Sequence, residues 1–122
     1  MEHPLTVQIA IVDDDADVRS AIASLVRSAG HAARTYDSGE AFLAAPDLAR
    51  TQFLVVDMNM PGMSGLDLQA RLNEAGRTIP VVVITARPTT QMRAEALRRG
   101  AVAFLAKPFG DDDLLTCIDQ NV

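Results

Sequence analysis

The stretch "QFLVVDMNMPGMSGLDLQARLNEAG", residues 52–76, contains a complete strand–loop–helix unit. Its first part, "QFLVV" (52–56), is a short apolar run without in–out alternation, as expected of a parallel strand buried on both faces. Asp57 closes that run. "MNMPGMSG" (58–65) then reads as a loop of fixed shape, in which Pro61 and Gly62 set a turn. Ser64 offers a side-chain oxygen to the first orphan N–H groups of a helix. Leu68, Leu72 and Ala75 follow at helical spacing on an inward face, and Gly76 supplies the stop.

The same alternation fills the rest of the chain. "VQIAIV" (7–12), "AARTY" (32–36), "PVVVIT" (80–85) and "AVAFLA" (101–106) are the other short apolar segments. The clearest helix between them places Val18, Ala21, Ile22, Leu25, Val26 and Ala29 on one face and ends at Gly30. A second starts at Ser38 in "SGEAFLAA", with Glu40 in its first turn. "TTQMRAEALRR" carries a weaker apolar stripe and stops at Gly100, and the last helix runs from about Asp111 to the end. Five βα units with short connections and right-handed crossovers make an open, doubly wound parallel sheet with helices on both faces. The flavodoxin-like strand order 2-1-3-4-5 suits such a chain, and ligands of that fold bind outside the carboxyl ends of the strands, where the order reverses.

Composition narrows the function. A length of 122 residues with 48% hydrophobic residues suits one domain, 1–122, with its own core. A net charge of −5 argues against a general electrostatic grip on nucleic acid or an anionic membrane. No apolar run approaches the roughly 20 residues of a membrane span. "MEHPLTV" lacks the basic and apolar regions of a signal peptide. The single cysteine, Cys117, excludes an internal disulfide and is compatible with a reducing cytoplasm. A cytoplasmic domain is expected.

The strand ends carry the chemistry. Strand 1 ends in Asp13, Asp14 and Asp15, strand 3 in Asp57, strand 4 in Thr85, and strand 5 in Lys107. Lys107 is the only lysine beside ten arginines. A site needing a compact point charge on a flexible stem cannot exchange the two. Two carboxylates about 5 Å apart repel by roughly 3 kcal/mol at an effective dielectric near 20. A cluster of them therefore calls for a cation, and oxygen ligands without His or Cys suit Mg²⁺. A metal ion and an ammonium flanking one carboxylate can hold a phosphoryl group, and that carboxylate can be the nucleophile.

"IVDDD" (11–15), "VVDMNMPGMSG" (55–65), "VVITA" (82–86) and "FLAKPF" (104–109) together resemble the receiver domain of two-component response regulators, and "SGEAFLAA" and "GAVAFLAKPF" resemble the NarL/FixJ type. The resemblance implies that Asp57 is the phosphoacceptor. It implies that Asp14, Asp57 and the backbone carbonyl of Asn59 touch Mg²⁺, with Asp13 acting mainly through water. Thr85 would donate to a phosphoryl oxygen, Lys107 would pair with Asp57 and then with the phosphate, and Pro108 would follow a cis peptide bond. Phe104 takes the place of an aromatic whose rotamer tracks the threonine, with simple core packing the equal alternative. The implied partner is a sensor histidine kinase, and the implied output is a change at the surface of helix 4, strand 5 and helix 5, with phosphorylation-dependent homodimerisation there and transcription as the controlled process. A receiver of this type precedes a C-terminal DNA-binding domain in a longer regulator, the alternative being a stand-alone receiver. It assists its own phosphorylation and dephosphorylation and is not an enzyme for free substrates.

Other residues have plainer readings. Asp15 is an N-cap, and Asp17 serves the helix dipole. Met58, Met60, Met63 and Met92 fill gaps or face a partner. Arg93, Arg98 and Arg99 form a solvated helix face or a basic patch, His3 and His31 mark a loose terminus and a strand edge, and Cys117 packs. Arg87 and Pro88 depart from the glycine-rich or acidic loop common after the threonine, which bears on dephosphorylation rate. Two rival classes fit less well. An aspartyl-phosphate phosphatase would carry its nucleophile on the first strand in Asp-x-Asp, and a flavin module would not place "DDDAD" where a phosphate must sit.

Overall fold

A computed structural model describes residues 7–46 and 48–122. His3 therefore lies outside the described residues. Five parallel strands, β1 (Gln8–Val12), β2 (Ala32–Tyr36), β3 (Phe53–Asp57), β4 (Val81–Thr85) and β5 (Ala103–Ala106), alternate with α1 (Ala16–Ser28), α2 (Gly39–Leu43), α3 (Gly65–Glu74), α4 (Thr90–Arg98) and α5 (Asp111–Gln120). The sheet order is β2-β1-β3-β4-β5. This is the flavodoxin-like order, and β1 and β3 are neighbours at the reversal.

Period-two alternation sorts the strand residues to the two faces of the sheet. Ile9, Ile11, Phe53, Val55, Val82 and Ile84 pack under α1 and α5, with Ile22, Val26, Leu114 and Ile118 opposite. Ala10, Val12, Leu54, Val56, Val81 and Val83 turn to the other face and meet Phe42, Leu68, Leu72, Ala96 and the methionines. Both faces are covered, so the central strands show no polar side. Met58, Met60 and Met63 are buried and act as gap fillers, while Met92 packs against the same cluster only partly buried.

Local chemistry sets the helix boundaries. Asp15 caps α1 through bonds from the N–H groups of Asp17 and Val18, and Asp17 sits in the first turn. Ser38 caps α2, and Ser64 and Asp67 form a reciprocal capping box on α3. Gly30, Gly76 and Gly100 all take the left-handed conformation just beyond α1, α3 and α4, where a side chain would be strained.

Three inward assignments are corrected. Ala21 is exposed and Ala23 is buried instead, because the two flank the Ile22–Val26 line on opposite sides and the sheet packs on the Ala23 side. Ala29 and Ala75 are exposed because both occupy C-cap positions, where their helices have already ended. The helix at Ser38 is also only five residues long and is followed by a single 3₁₀ turn at Leu48–Arg50 that the apolar pattern does not announce. Among the described residues, no helix is long and apolar enough to cross a membrane.

Candidate functional site

The carboxyl edge of the sheet gathers groups from four βα units. Asp57 is the last residue of β3 and pairs in register with Ile84, so Thr85 ends β4 one step further along. The Lys107 N–H donates to the Thr85 carbonyl at 2.8 Å, which continues the β4–β5 ladder and brings the lysine to the same edge. The Lys107–Pro108 peptide bond is cis.

Lys107 stands between two carboxylates. Its Nζ donates to Asp13 Oδ2 at 2.9 Å and lies 3.3 Å from Asp57 Oδ1. Asp13 is fully buried and fixed on its other oxygen, Oδ1, by the Asp15 N–H at 2.9 Å. Asp14 is exposed at the rim. Asp13, Asp14 and Asp57 each offer a carboxylate oxygen, and all three oxygens lie within 4.8 Å of one another. Burial and the neighbouring Asp13 charge push the Asp57 carboxyl above its usual range, with Lys107 offsetting part of the effect and Asp14 adding to it. Burial works against the Lys107 ammonium, yet the hydrogen bond and charge of Asp13, joined by Asp57, outweigh it and raise its pKa.

This donor set fits a hard divalent cation. It is all oxygen, it is dense in negative charge, and its most buried pair is only partly neutralised by one lysine. Mg²⁺ matches such ligands, and its charge would reverse the upward pressure on Asp57.

Beside the acidic groups opens a cleft of about 420 Å³ lined by Asp57, Asn59, Ala86, Arg87, Met92 and Lys107. Thr85 is fully buried next to it. Its Oγ1 accepts from Asn59 Nδ2 at 3.1 Å and from the Arg87 N–H at 3.1 Å. The side chain of Asn59 thus has a partner of its own, apart from any part its carbonyl plays. Phe104 is buried in the cluster with Val83 and Ala96, in the arrangement a core residue would have.

Three contacts escape the motifs. Arg19 Nη1 donates to the Asp13 carbonyl at 2.7 Å and so anchors the turn that carries the aspartates. Its only sequence signal is an arginine early in the first helix. Asn59 reaches Thr85 across 26 positions, which no spacing rule encodes. Gly65 lies so close to β3 that an added Cβ would stand 2.7 Å from the Asp57 carbonyl oxygen and 3.1 Å from Met58 Cα.

The remaining candidates settle into structural parts. Arg98 and Arg99 both pair with Glu95, and Arg99 also donates to the Leu66 carbonyl at 3.1 Å. The arginine run of α4 is thus largely engaged within the chain, with Arg93 exposed. His31 is half-buried just before β2, at the opposite end of the strands from the acidic cluster. Cys117 packs against the α1–α5 side of the core, and burial, with the charge of Asp113, pushes its thiol upward.

A doubly wound α/β domain with an acidic pocket at its topological switch point is the class that fold and site define. The profile of the response regulator receiver domain matches residues 9–119. The response regulator protein TmoT of Ectopseudomonas mendocina is 42% identical over 110 residues, which cover 90% of this chain and 50% of that protein. The transcriptional regulatory protein FixJ of Rhizobium meliloti is 41% identical over 113 residues, covering 92% of this chain and 55% of that one. The crystal structure of FixJ-N superposes with a TM-score of 0.87 at 38% identity, covering 97% of this chain and 94% of that chain. The chain belongs to the response regulator receiver domain family. It spans about half the length of the curated relatives it matches.

Proposed function

We propose that this receiver accepts a phosphoryl group on Asp57 from the phosphohistidine of a sensor kinase, in a Mg²⁺-dependent step, and thereby switches an output surface that controls transcription. The observation that carries the reading is the Lys107 ammonium set between Asp13 and Asp57 within a cluster of three carboxylates.

An Asp57 oxygen attacks phosphorus, the P–N bond to the donor imidazole breaks, and the released nitrogen takes up a proton. The carboxylates of Asp14 and Asp57 and the Asn59 carbonyl would hold Mg²⁺, with Asp13 acting mainly through water, and the ion would supply positive charge for the phosphoryl oxygens. Lys107 neutralises charge on a second side of the group, and the Thr85 hydroxyl donates to one of its oxygens. Ala86 is small and exposed, which leaves the donor room to approach. An apolar groove of about 480 Å³ between α1 and the β5–α5 connection shares Ala86 and Lys107 with the cleft. That continuity supports it as the surface on which the donor protein lies.

Phosphate contacts made by Thr85 and Lys107 bias a pre-existing equilibrium, with Phe104 following the threonine. The surface of α4, β5 and α5 is the output, and pairing of two phosphorylated copies through it is the means. The domain works in the cytoplasm, assists its own phosphorylation and dephosphorylation, and precedes a DNA-binding domain in a longer regulator.

Intact mass after incubation with acetyl phosphate, with and without Mg²⁺, tests the acceptor. Wild type should gain one phosphoryl group only with the metal, and Asp57→Ala should gain none. An unchanged gain in the variant refutes the assignment.

A further inference from the structure

We propose that the Asn59 side chain is a positioning residue that, together with the Arg87 main-chain N–H, holds the Thr85 hydroxyl as an obligate hydrogen-bond donor. This rests on the reading of Asp57 as the phosphoacceptor.

A threonine hydroxyl has one hydrogen to donate and two lone pairs to accept with. In this protein both lone pairs are engaged. Asn59 Nδ2 donates to Oγ1 from the loop after β3, and the Arg87 N–H donates to the same oxygen from the loop after β4, each at 3.1 Å. The hydrogen is the only hydrogen-bonding function left, and among the described residues nothing accepts it. Thr85 is fully buried, so bulk water does not take that role.

A free hydroxyl rotor is ambivalent and can present a lone pair to an arriving oxygen, which repels it. Two fixed donors remove that option before the phosphoryl group arrives. Such preorganisation contributes more than a contact formed after the charge appears, because the hydroxyl is already committed to donating before transfer.

The residue types fit this task. Asparagine at 59 donates. An ionised aspartate there could only accept, and would draw the Thr85 hydrogen toward itself. The second donor is a main-chain group, so the identity of the Arg87 side chain does not enter. Asn59 itself is exposed, so truncating it removes the amide without opening the core.

The test is a double-mutant cycle on wild type, Asn59→Ala, Thr85→Val and the double variant. The rate of Asp57 phosphorylation by acetyl phosphate is followed by intact mass at saturating Mg²⁺, with thermal melting and Mg²⁺ affinity measured alongside. Asn59→Ala should slow phosphorylation about tenfold, equivalent to about 1.4 kcal/mol. Its melting temperature should fall by a few degrees at most, about the loss of one hydrogen bond, and its Mg²⁺ affinity should be unchanged, since the main-chain carbonyl remains. The double variant should be no slower than Thr85→Val alone, and Asn59→Asp should be at least as slow as Asn59→Ala. Multiplying rate losses, a wild-type rate in either Asn59 variant, or weakened Mg²⁺ binding in Asn59→Ala would overturn the proposal. A wild-type protein that takes up no phosphoryl group would instead overturn the acceptor reading beneath it.

Discussion

Replacing Asp57 by asparagine should stabilise the metal-free protein at neutral pH. Asp57 and Asp13 offer oxygens within 4.8 Å, a repulsion of about 3.5 kcal/mol at an effective dielectric near 20. Lys107, 3.3 Å away, returns about 5 kcal/mol on the same scale. The lysine contact is the larger of the two by about 1.5 kcal/mol on this scale, and the cost of burying the carboxylate, with the weaker, solvent-screened repulsion from Asp14, outweighs that surplus. These leave its pKa raised, as the directions of its causes indicate. A net gain in stability is therefore expected in Asp57→Asn, read as a higher melting temperature.

The pH dependence carries the sign. With its pKa above the ordinary 3.8, native Asp57 holds a proton that the unfolded chain has already lost, so wild-type stability falls as pH rises through that window. The gain in the variant should be absent below pH 3.8 and reach its plateau above the folded-state pKa. Melting curves of both proteins from pH 3 to 8 in EDTA measure it. Mg²⁺ at ten times its dissociation constant should then add about 1.4 kcal/mol to wild type and much less to the variant. A destabilised Asp57→Asn at pH 7, or a difference independent of pH, would refute the reasoning.

Four further outcomes follow from the same structure. Ala21→Asp, on an exposed position of the apolar groove, should leave phosphorylation by acetyl phosphate intact and impair transfer from a histidine kinase competent on the wild type; equal loss from both donors would place the defect in the pocket. Lys107→Arg should fold and yet accept phosphate more slowly, because a planar fork cannot sit as a point charge between Asp13 and Asp57; a wild-type rate contradicts that role. Gly65→Ala forces a methyl onto main-chain atoms of Asp57 and Met58 and should cost about 1–3 kcal/mol by melting, whereas Gly39→Ala meets only side-chain atoms of Met63, nearest its sulfur, and should cost less. Ser64→Ala removes half of the capping box and should lower stability by about 1 kcal/mol, with an unchanged denaturation midpoint counting against the cap.

The architecture was legible because buried parallel strands and glycine-terminated helices write themselves into local sequence. Gly30, Gly76 and Gly100 all lie where the helix ends required them, and Ser38, Ser64 and Asp15 all cap. Periodicity alone did not resolve the margins of a stripe, so Ala21 and Ala23 were exchanged. The gathering of Asp13, Asp14, Asp57 and Lys107 was legible once strand order placed their strand ends together. The bonds that tune the cluster were not. Asn59 to Thr85 and Arg19 to the Asp13 carbonyl depend on side-chain reach across loops, which leaves no periodic trace.

Lys107 lies 94 residues beyond the carboxylate to which it is bonded. A nascent chain on the ribosome consequently exposes its aspartates long before their counter-ion is synthesised. The acidic pocket is therefore complete only once β5 and the lysine that follows it have been made.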